Sequence, residues 1–377
     1  MDTINQEKII LPLPLADKRQ MTICKDCFNE LKAELELFLD ENPYLQTKEF
    51  LTSALFRLEL KANNAVEGIT DDIRLIEQVI ADAASINDIN RRNRIKNLYN
   101  GYRYILQGYQ INKETLRQLY QILSKDLLEP EDEQRMGPYY REAPVFILRN
   151  GRLDDSYDMG LDESVLEYFM DQYFTFVNTN NDLATSTDYF IKSQIMHYYF
   201  VYIHPYFDIN GRTSRTLAMW YLLNENAYPY IIFNRAISLD ASYDRIIRDI
   251  KNQGKIDNFI NYMMVNTKKE LEKEYIMHSI AEYHKDLSSL DFQTLEYLLS
   301  LRGNVTVLDF CSIYSRFNDK KKVKEIYETM LDPLIQKAIV NIKRDTQKTM
   351  YGSYPNQVLT LNKQLIPNPQ YIKRLNI

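Results

Sequence analysis

The sequence predicts a mainly α-helical protein with one small β-hairpin at its middle and another near its end. Apolar residues recur at helical spacing through most of the 377 residues, and only 10 are Gly and 12 Pro. The strongest break in that texture carries an Asn-Gly pair, the usual sign of a hairpin turn. Hydrophobic residues at 45% and charged residues at 26% fit a globular chain able to bury a sizeable core.

Taken in order, Lys48 to Val66 carries Phe50, Leu55, Leu58, Ala62 and Val66 on one face, and Gly68 stands where a helix C-cap belongs. Thr70, Asp71 and Asp72 start another helix, and RRNRIKNLYNGYRYIL and KETLRQLYQILSKDLL continue the texture through Leu128. RMGPYYREAPVFILRNGRLDDSYDMG then replaces it with Pro, Gly and short apolar runs around Asn150-Gly151. Helices resume with DESVLEYFMDQYFTFVN, where Leu166, Met170, Tyr173 and Val177 share a face. TDYFIKSQIMHYYFVYI leads into His204, RTLAMWYLLNEN follows, and a further helix lies near Lys255 to Lys273. Three helical runs and an alternating pair, AIVNIKRD and NQVLTLN, close the chain in the order of a winged helix. The expected division is an N-terminal helical region at 1–96, a central domain at 97–275 and a winged-helix-like unit at 285–377.

A net charge of −6, from 46 Lys and Arg against 52 Asp and Glu, argues against a chain devoted to nucleic acid. The N-terminus lacks a basic leader, Pro12 and Pro14 break its apolar run, and no segment reaches membrane-spanning length, so a cytoplasmic protein without membrane contact is expected. Cys24 and Cys27 form a lone C-x-x-C without a second ligand pair; with Cys311 they read as ordinary cysteines of a reducing compartment. The 29 tyrosines suggest no role beyond packing.

The chemistry gathers in HPYFDINGRTSR, from His204 to Arg215. Asn210-Gly211 reads as a turn pair before a helix whose free N–H groups make an anion site, and Arg212 and Arg215, three apart, can fork onto phosphate together. Asp208 suits a magnesium ion, a hard cation that takes oxygen ligands. His204, with an ordinary pKa of about 6.5, suits a general base. Each residue alone has a bland reading as cap, ion pair or turn, but the set describes nucleotidyl or phosphoryl transfer. His197, on the preceding helix, reads as a packing or solvent histidine.

These residues resemble the Fic family motif, H-P-F-x-D/E-G-N-G/K-R-x-x-R, and the resemblance extends over roughly Asn97 to Met264. It implies transfer of AMP from ATP to a Ser, Thr or Tyr hydroxyl of a target protein, with Mg2+. His204 would be the base, Asp208 the metal ligand, Asn210 and Gly211 the α-phosphate cradle, and Arg212 and Arg215 the outer-phosphate clamp. Pro144, Val145, Phe146 and Ile147 match the flap that docks a target by strand addition, and Tyr243 the adenine-side wall. Two positions depart from the pattern. Tyr206 replaces Phe and brings a hydroxyl that needs a partner if buried. Ile209 replaces Gly where the backbone calls for one, so Ile209→Gly is expected to relax the loop.

NNAVEG resembles the family's inhibitory pattern S/T-x-x-x-E-G/N, with Asn63 at the Ser/Thr position and Glu67 and Gly68 matching. The implied N-terminal inhibitory helix brings Glu67 to Arg215 and displaces the γ-phosphate. The function expected is therefore an auto-inhibited protein adenylyltransferase. Two alternatives stand beside it: removal of AMP from modified proteins, and a weakened Fic protein whose C-terminal unit binds DNA through Lys320, Lys321, Lys322 and Lys324. A homodimer stays open at this point.

Overall fold

A run that is apolar on every side forms a stable helix only when it is surrounded. Ser186–Ile203 is such a run, and in the computed structural model it is α8, the central helix, with Phe190, Met196, Tyr199 and Phe200 fully buried. The structure describes residues 7–69, 71–82, 87–145, 160–179, 183–237, 242–301, 305–317, 322–349 and 352–368.

On α8 pack α7 (Leu166–Asn178), α9 (Asn210–Asn224) and α12 (Asp257–Tyr283); α4 (Ile89–Ile105) and α5 (Lys113–Ser124) pack on α9, α10 (Phe233–Ile237) and α11 (Ser242–Gln253) on α12, and the short α6 (Pro130–Gln134) follows α5 in the chain. The face predicted for α7 holds: Leu166, Met170, Tyr173 and Val177 are all buried. The helical texture expected through Leu128 stops at Ser124. No described helix is long and apolar enough to cross a membrane.

Ahead of this core come β1 (Lys8–Pro14), β2 (Gln20–Cys24), α1 (Asn29–Glu41), α2 (Ser53–Val66) and α3 (Ile73–Ile80). The antiparallel β1–β2 hairpin was not expected from the sequence. Lys8 lies opposite Cys24 and Ile9 opposite Ile23, and the register becomes irregular between Ile10 and Pro14, where Pro12 has no N–H to donate. Leu11, Leu13, Leu15, Met21 and Ile23 face inward with a period of two. The Tyr199 hydroxyl donates to the Pro14 carbonyl at 2.7 Å, and Ala16 N donates to the Tyr202 hydroxyl at 2.7 Å, so α8 holds the hairpin directly. Cys24 and Cys27 are joined in a disulfide, a correction to their reading as separate thiols, while Cys311 is free and buried.

The helix expected from Lys48 begins later, at Ser53, because the Thr52 side chain accepts from Leu55 N and caps it; Lys48–Phe50 is a separate 3-10 turn. Its end is as expected. Gly68, at φ +75°, donates to Ala65 O, and Ile69 N donates to Asn64 O.

The C-terminal order is α13 (Ser289–Ser300), α14 (Val307–Phe317), α15 (Val323–Ile326), a π-helical turn (Tyr327–Leu331), α16 (Asp332–Gln336), β3 (Val340–Thr349) and β4 (Gly352–Leu361). β3 and β4 pair antiparallel, with Val340 opposite Leu361 and Thr349 opposite Gly352. Lys320 and Lys321 lie outside the described residues, and Lys324 pairs with Glu328 at 3.7 Å.

A buried charge knot fastens α2 in place. Arg235 on α10, 4% exposed, reaches Glu59 on α2 at 3.1 Å, Glu274 on α12 at 2.5 Å and Glu296 on α13 at 3.7 Å. Burial pushes the Glu59 carboxyl up to about 8 against the pull of the Arg235 charge, and burial raises Glu274 as well. Removing one side of such a knot costs more than the knot contributes, because the remaining charges stay buried. Arg235→Leu is expected to lose about 3–5 kcal/mol of stability in urea unfolding. A loss below about 1 kcal/mol would mean that the carboxylates discharge at no cost.

Candidate functional site

The site is the loop from α8 to α9, and both its ends sit in left-handed backbone. His204 caps α8 at φ 54°, ψ 60°, and Ile209 precedes α9 at φ 66°, ψ 12°. This corrects the reading of Asn210-Gly211 as the turn: both lie in the first turn of α9, and the turning residue is Ile209. A β-branched residue there is a true outlier, held because the structure over-determines it. The Ile209 side chain is 3% exposed, so packing offsets the backbone cost. Ile209→Gly therefore removes about 1–2 kcal/mol of strain but forfeits a buried side chain whose loss costs about 2–5 kcal/mol. A net loss of stability is expected in thermal unfolding; a stabilised variant would show that strain outweighs packing here.

Asn210 closes the loop. Its Oδ1 accepts from Tyr206 N at 3.0 Å and its Nδ2 donates to Tyr206 O at 2.8 Å, so the side chain is tied at both ends to the main chain of Tyr206. The Tyr206 ring stacks on Tyr120 with centroids 3.5 Å apart. Its fully buried hydroxyl, expected to find a partner, has none among the described residues.

His204 Nδ1 lies 3.3 Å from the Val201 carbonyl, which fixes the proton on Nδ1 and leaves the Nε2 lone pair free. Burial holds its imidazole down at about 4, the Val201 carbonyl opposes this, and the Arg141 charge adds to it. The ring is thus neutral at working pH. Asp208 is exposed, and its Oδ1 accepts from Ile209 N at 2.6 Å. No group of three or more His, Cys, Asp or Glu gathers here among the described residues. An ion at Asp208 would draw its other ligands from water and phosphate, as magnesium commonly does.

The first N–H groups of α9 have no helical partner, and Gly211 stands among them. A Cβ there would collide with the Glu67 carboxylate and approach Arg215 Nη1 at 3.1 Å. Arg212, 9% exposed, keeps a buried Nε without a hydrogen-bond partner, an orphan donor that suits an anion. Burial works against its charge, and Glu67 and Asp208 support it.

Arg215, 1% exposed, is turned toward α2. Its Nε donates to Asn63 Oδ1 at 2.8 Å, and its Nη2 donates to Asn63 O at 3.1 Å and to Glu67 Oε1 at 2.6 Å. Asn63, which the sequence showed only as a departure from a pattern, is thus a direct partner of Arg215. Its Nδ2 donates to the Tyr102 hydroxyl at 3.1 Å. The signal was the four-residue spacing that puts Asn63 and Glu67 on one helix face. Although 38% of its side chain is exposed, the Glu67 carboxyl is deep enough that desolvation opposes ionisation. Arg215 and then Arg212 outweigh this and hold it below the usual range.

His197 is the packing histidine expected, fully buried, with its imidazole pushed down to about 3 by burial and then by Arg215. Its Nε2 meets the Tyr243 hydroxyl at 2.8 Å, and the Tyr243 ring stacks on it 5.9 Å away. Tyr243 also lies against Arg215. Pro144 is exposed and Val145 buried, while Phe146, Ile147 and the Asn150-Gly151 turn lie outside the described residues.

One loop of a helical core thus presents a neutral histidine, a carboxylate, a helix N-terminus and two buried arginines, groups whose chemistry suits phosphate. Residues 110–222 match the family model described as Fic/DOC family, which gives the chain a Fic/DOC-type domain at its centre. It is 29% identical over 108 residues to protein adenylyltransferase fic-1 of Caenorhabditis elegans, a match covering 28% of this chain and 20% of that protein. The fold resembles the crystal structure of a Fic family protein from Desulfovibrio desulfuricans G20, with a TM-score of 0.52, 16% identity, and 89% of this chain and 93% of that one covered.

Proposed function

We propose that the chain is a protein adenylyltransferase that moves AMP from ATP to a hydroxyl side chain of a target protein, and that α2 is its inhibitory helix. The observation that carries this reading is the placement of a free His204 Nε2 on the same loop as Asp208, the start of α9 and the paired arginines. The related worm protein, named as a protein adenylyltransferase, supports the choice of AMP.

In this reading His204 Nε2 takes the proton of the incoming hydroxyl as its oxygen bonds the α-phosphorus, and the bond to the leaving pyrophosphate breaks. The main-chain N–H groups at Asn210 and Gly211 hold the α-phosphate, and Arg212 and Arg215 hold the outer phosphates. Asp208 would hold the magnesium ion, which supplies charge neutralisation to the triphosphate. Tyr243 steadies Arg215 from behind and borders the nucleotide, and the role of a target-docking flap is assigned to Pro144, Val145, Phe146 and Ile147 from the sequence. The α13–β4 segment is read as a winged-helix-like unit following the Fic domain of 97–275. Incubating the Glu67→Gly protein with magnesium and each nucleoside triphosphate in turn tests the reading by intact mass. A gain matching AMP, from ATP alone, is expected; a gain from another nucleotide, or none, would overturn it.

A further inference from the structure

Arg141 lies far from the motif in sequence and is 2% exposed. A buried guanidinium is ordinarily answered by a carboxylate at bonding distance. Among the described residues the nearest carboxylate contact is Glu163, at 3.9 Å from Nη1. The guanidinium turns instead to main-chain carbonyls: Nε donates to His204 O at 3.0 Å, Nη1 to Ala143 O at 2.8 Å, and Nη2 to Leu161 O. Its own N–H donates to Pro205 O at 3.0 Å, and Leu161 N donates to Ile203 O at 3.3 Å. Three separate stretches of chain, near 141–145, 160–161 and 203–205, thus meet on one side chain. Gly160 shows how closely they are drawn together: a Cβ there would come within 2.9 Å of Arg141 Nη2, His204 Cβ and Val145 Cγ1.

The aim of the His204 imidazole depends on this junction. His204 is a non-glycine residue in left-handed backbone, which costs about 1–2 kcal/mol, and its carbonyl stands at a helix end where no helical N–H can reach it. A charged donor on that carbonyl is stronger than a neutral one and fixes the plane of the following peptide. With that plane set, the Nδ1 contact to Val201 O fixes the ring.

We propose that Arg141 is the positioning residue for His204, a guanidinium that holds the His204 carbonyl and with it the left-handed backbone from which the imidazole is aimed. It touches no reacting atom in this arrangement. The consequence for turnover rests on the proposed function, but the consequence for the ring does not, and the test reads both.

Arg141→Ala and Arg141→Lys are made in the Glu67→Gly chain, with ring-15N histidine labelling and His204→Asn to assign the His204 signals. Arg141→Ala is expected to lower kcat at least 30-fold with KM for ATP within about threefold, since phosphate binding is untouched. Ethylguanidinium at millimolar concentration should restore part of that kcat, and Arg141→Lys, which keeps one charged donor, should fall between. In the 15N spectrum the parent shows His204 with its proton on Nδ1, and Arg141→Ala shows a mixture of tautomers. Where Arg141→Ala does not fold, Arg141→Lys decides: reduced kcat at constant KM supports the proposal, and unchanged kcat overturns it. An unchanged His204 spectrum in folded Arg141→Ala, or a loss lying in KM, overturns it too. If the Glu67→Gly chain transfers no nucleotide at all, the proposed function falls, and the tautomer readout alone decides on Arg141.

Discussion

Glu67→Gly is expected to raise self-modification with AMP by about 5- to 150-fold over the parent, the range of an ordinary coupling between two sites. In the proposed reading the Glu67 carboxylate takes up two positions that the phosphates of ATP would otherwise use. It pairs with Arg215 Nη2 at 2.6 Å, and it lies closest to the Cβ position of Gly211, where the open end of α9 favours negative charge. An anionic substrate group must displace it or bind out of line, so the loss falls on rate more than on affinity. Asn63 still accepts from Arg215 in the variant, which keeps the arginine in place while one edge of its guanidinium is freed. Acid does not substitute for the mutation. The Glu67 carboxyl is held below its usual 4.5, so its grip persists above that region and is lost only as pH falls through the lowered value, where His204, at about 4, also gains its proton. The parent should therefore show no acid-activated maximum. If Glu67→Gly is no faster than a parent with measurable transfer, the inhibitory reading of α2 is wrong.

What the sequence disclosed follows from how far apart the partners lie in the chain. His204, Asp208, Arg212 and Arg215 share one loop and one helical turn, so their spacing alone placed them together. The left-handed backbone at Ile209 was legible because a Gly was missing where one was expected. Glu67 and Arg215 are 148 residues apart, and only the resemblance of NNAVEG to a known pattern suggested that they meet. Arg141 carried no such mark, and Asn63 showed only as a departure from that pattern. One is a lone arginine in a Pro-containing stretch and the other half of an Asn pair, and their partners are main-chain atoms or distant side chains that no periodicity reveals. The β1–β2 hairpin was hidden by Pro12 and Pro14, which read as breakers although the inward Leu11, Leu13 and Leu15 keep the two-residue period. Several of the tyrosines that had no role now have one. Tyr199 and Tyr202 hold that hairpin, Tyr102 supports Asn63, and Tyr243 joins His197 to the Arg215 side of the site.

In the Glu67→Gly background, His204→Ala is expected to lower transfer by about 10²- to 10⁴-fold, the usual contribution of a positioned general base. ATP binding should stay within about threefold, because no phosphate contact passes through the imidazole. Alanine alone is an ambiguous probe at this position. It deletes the base, but it also places a Cβ-bearing residue without local hydrogen bonding in left-handed backbone, at φ 54°, and gives up the Nδ1 contact to Val201. His204→Asn separates the two effects, since Asn tolerates that conformation several-fold better than most residues yet offers no basic nitrogen. If His204 acts as the base, both variants lose activity alike while His204→Asn keeps the parent's melting temperature and ATP affinity. If His204→Asn retains more than about a tenth of the activity, the residue is needed for the shape of the loop and not for its proton, a result that base catalysis at its usual size does not allow.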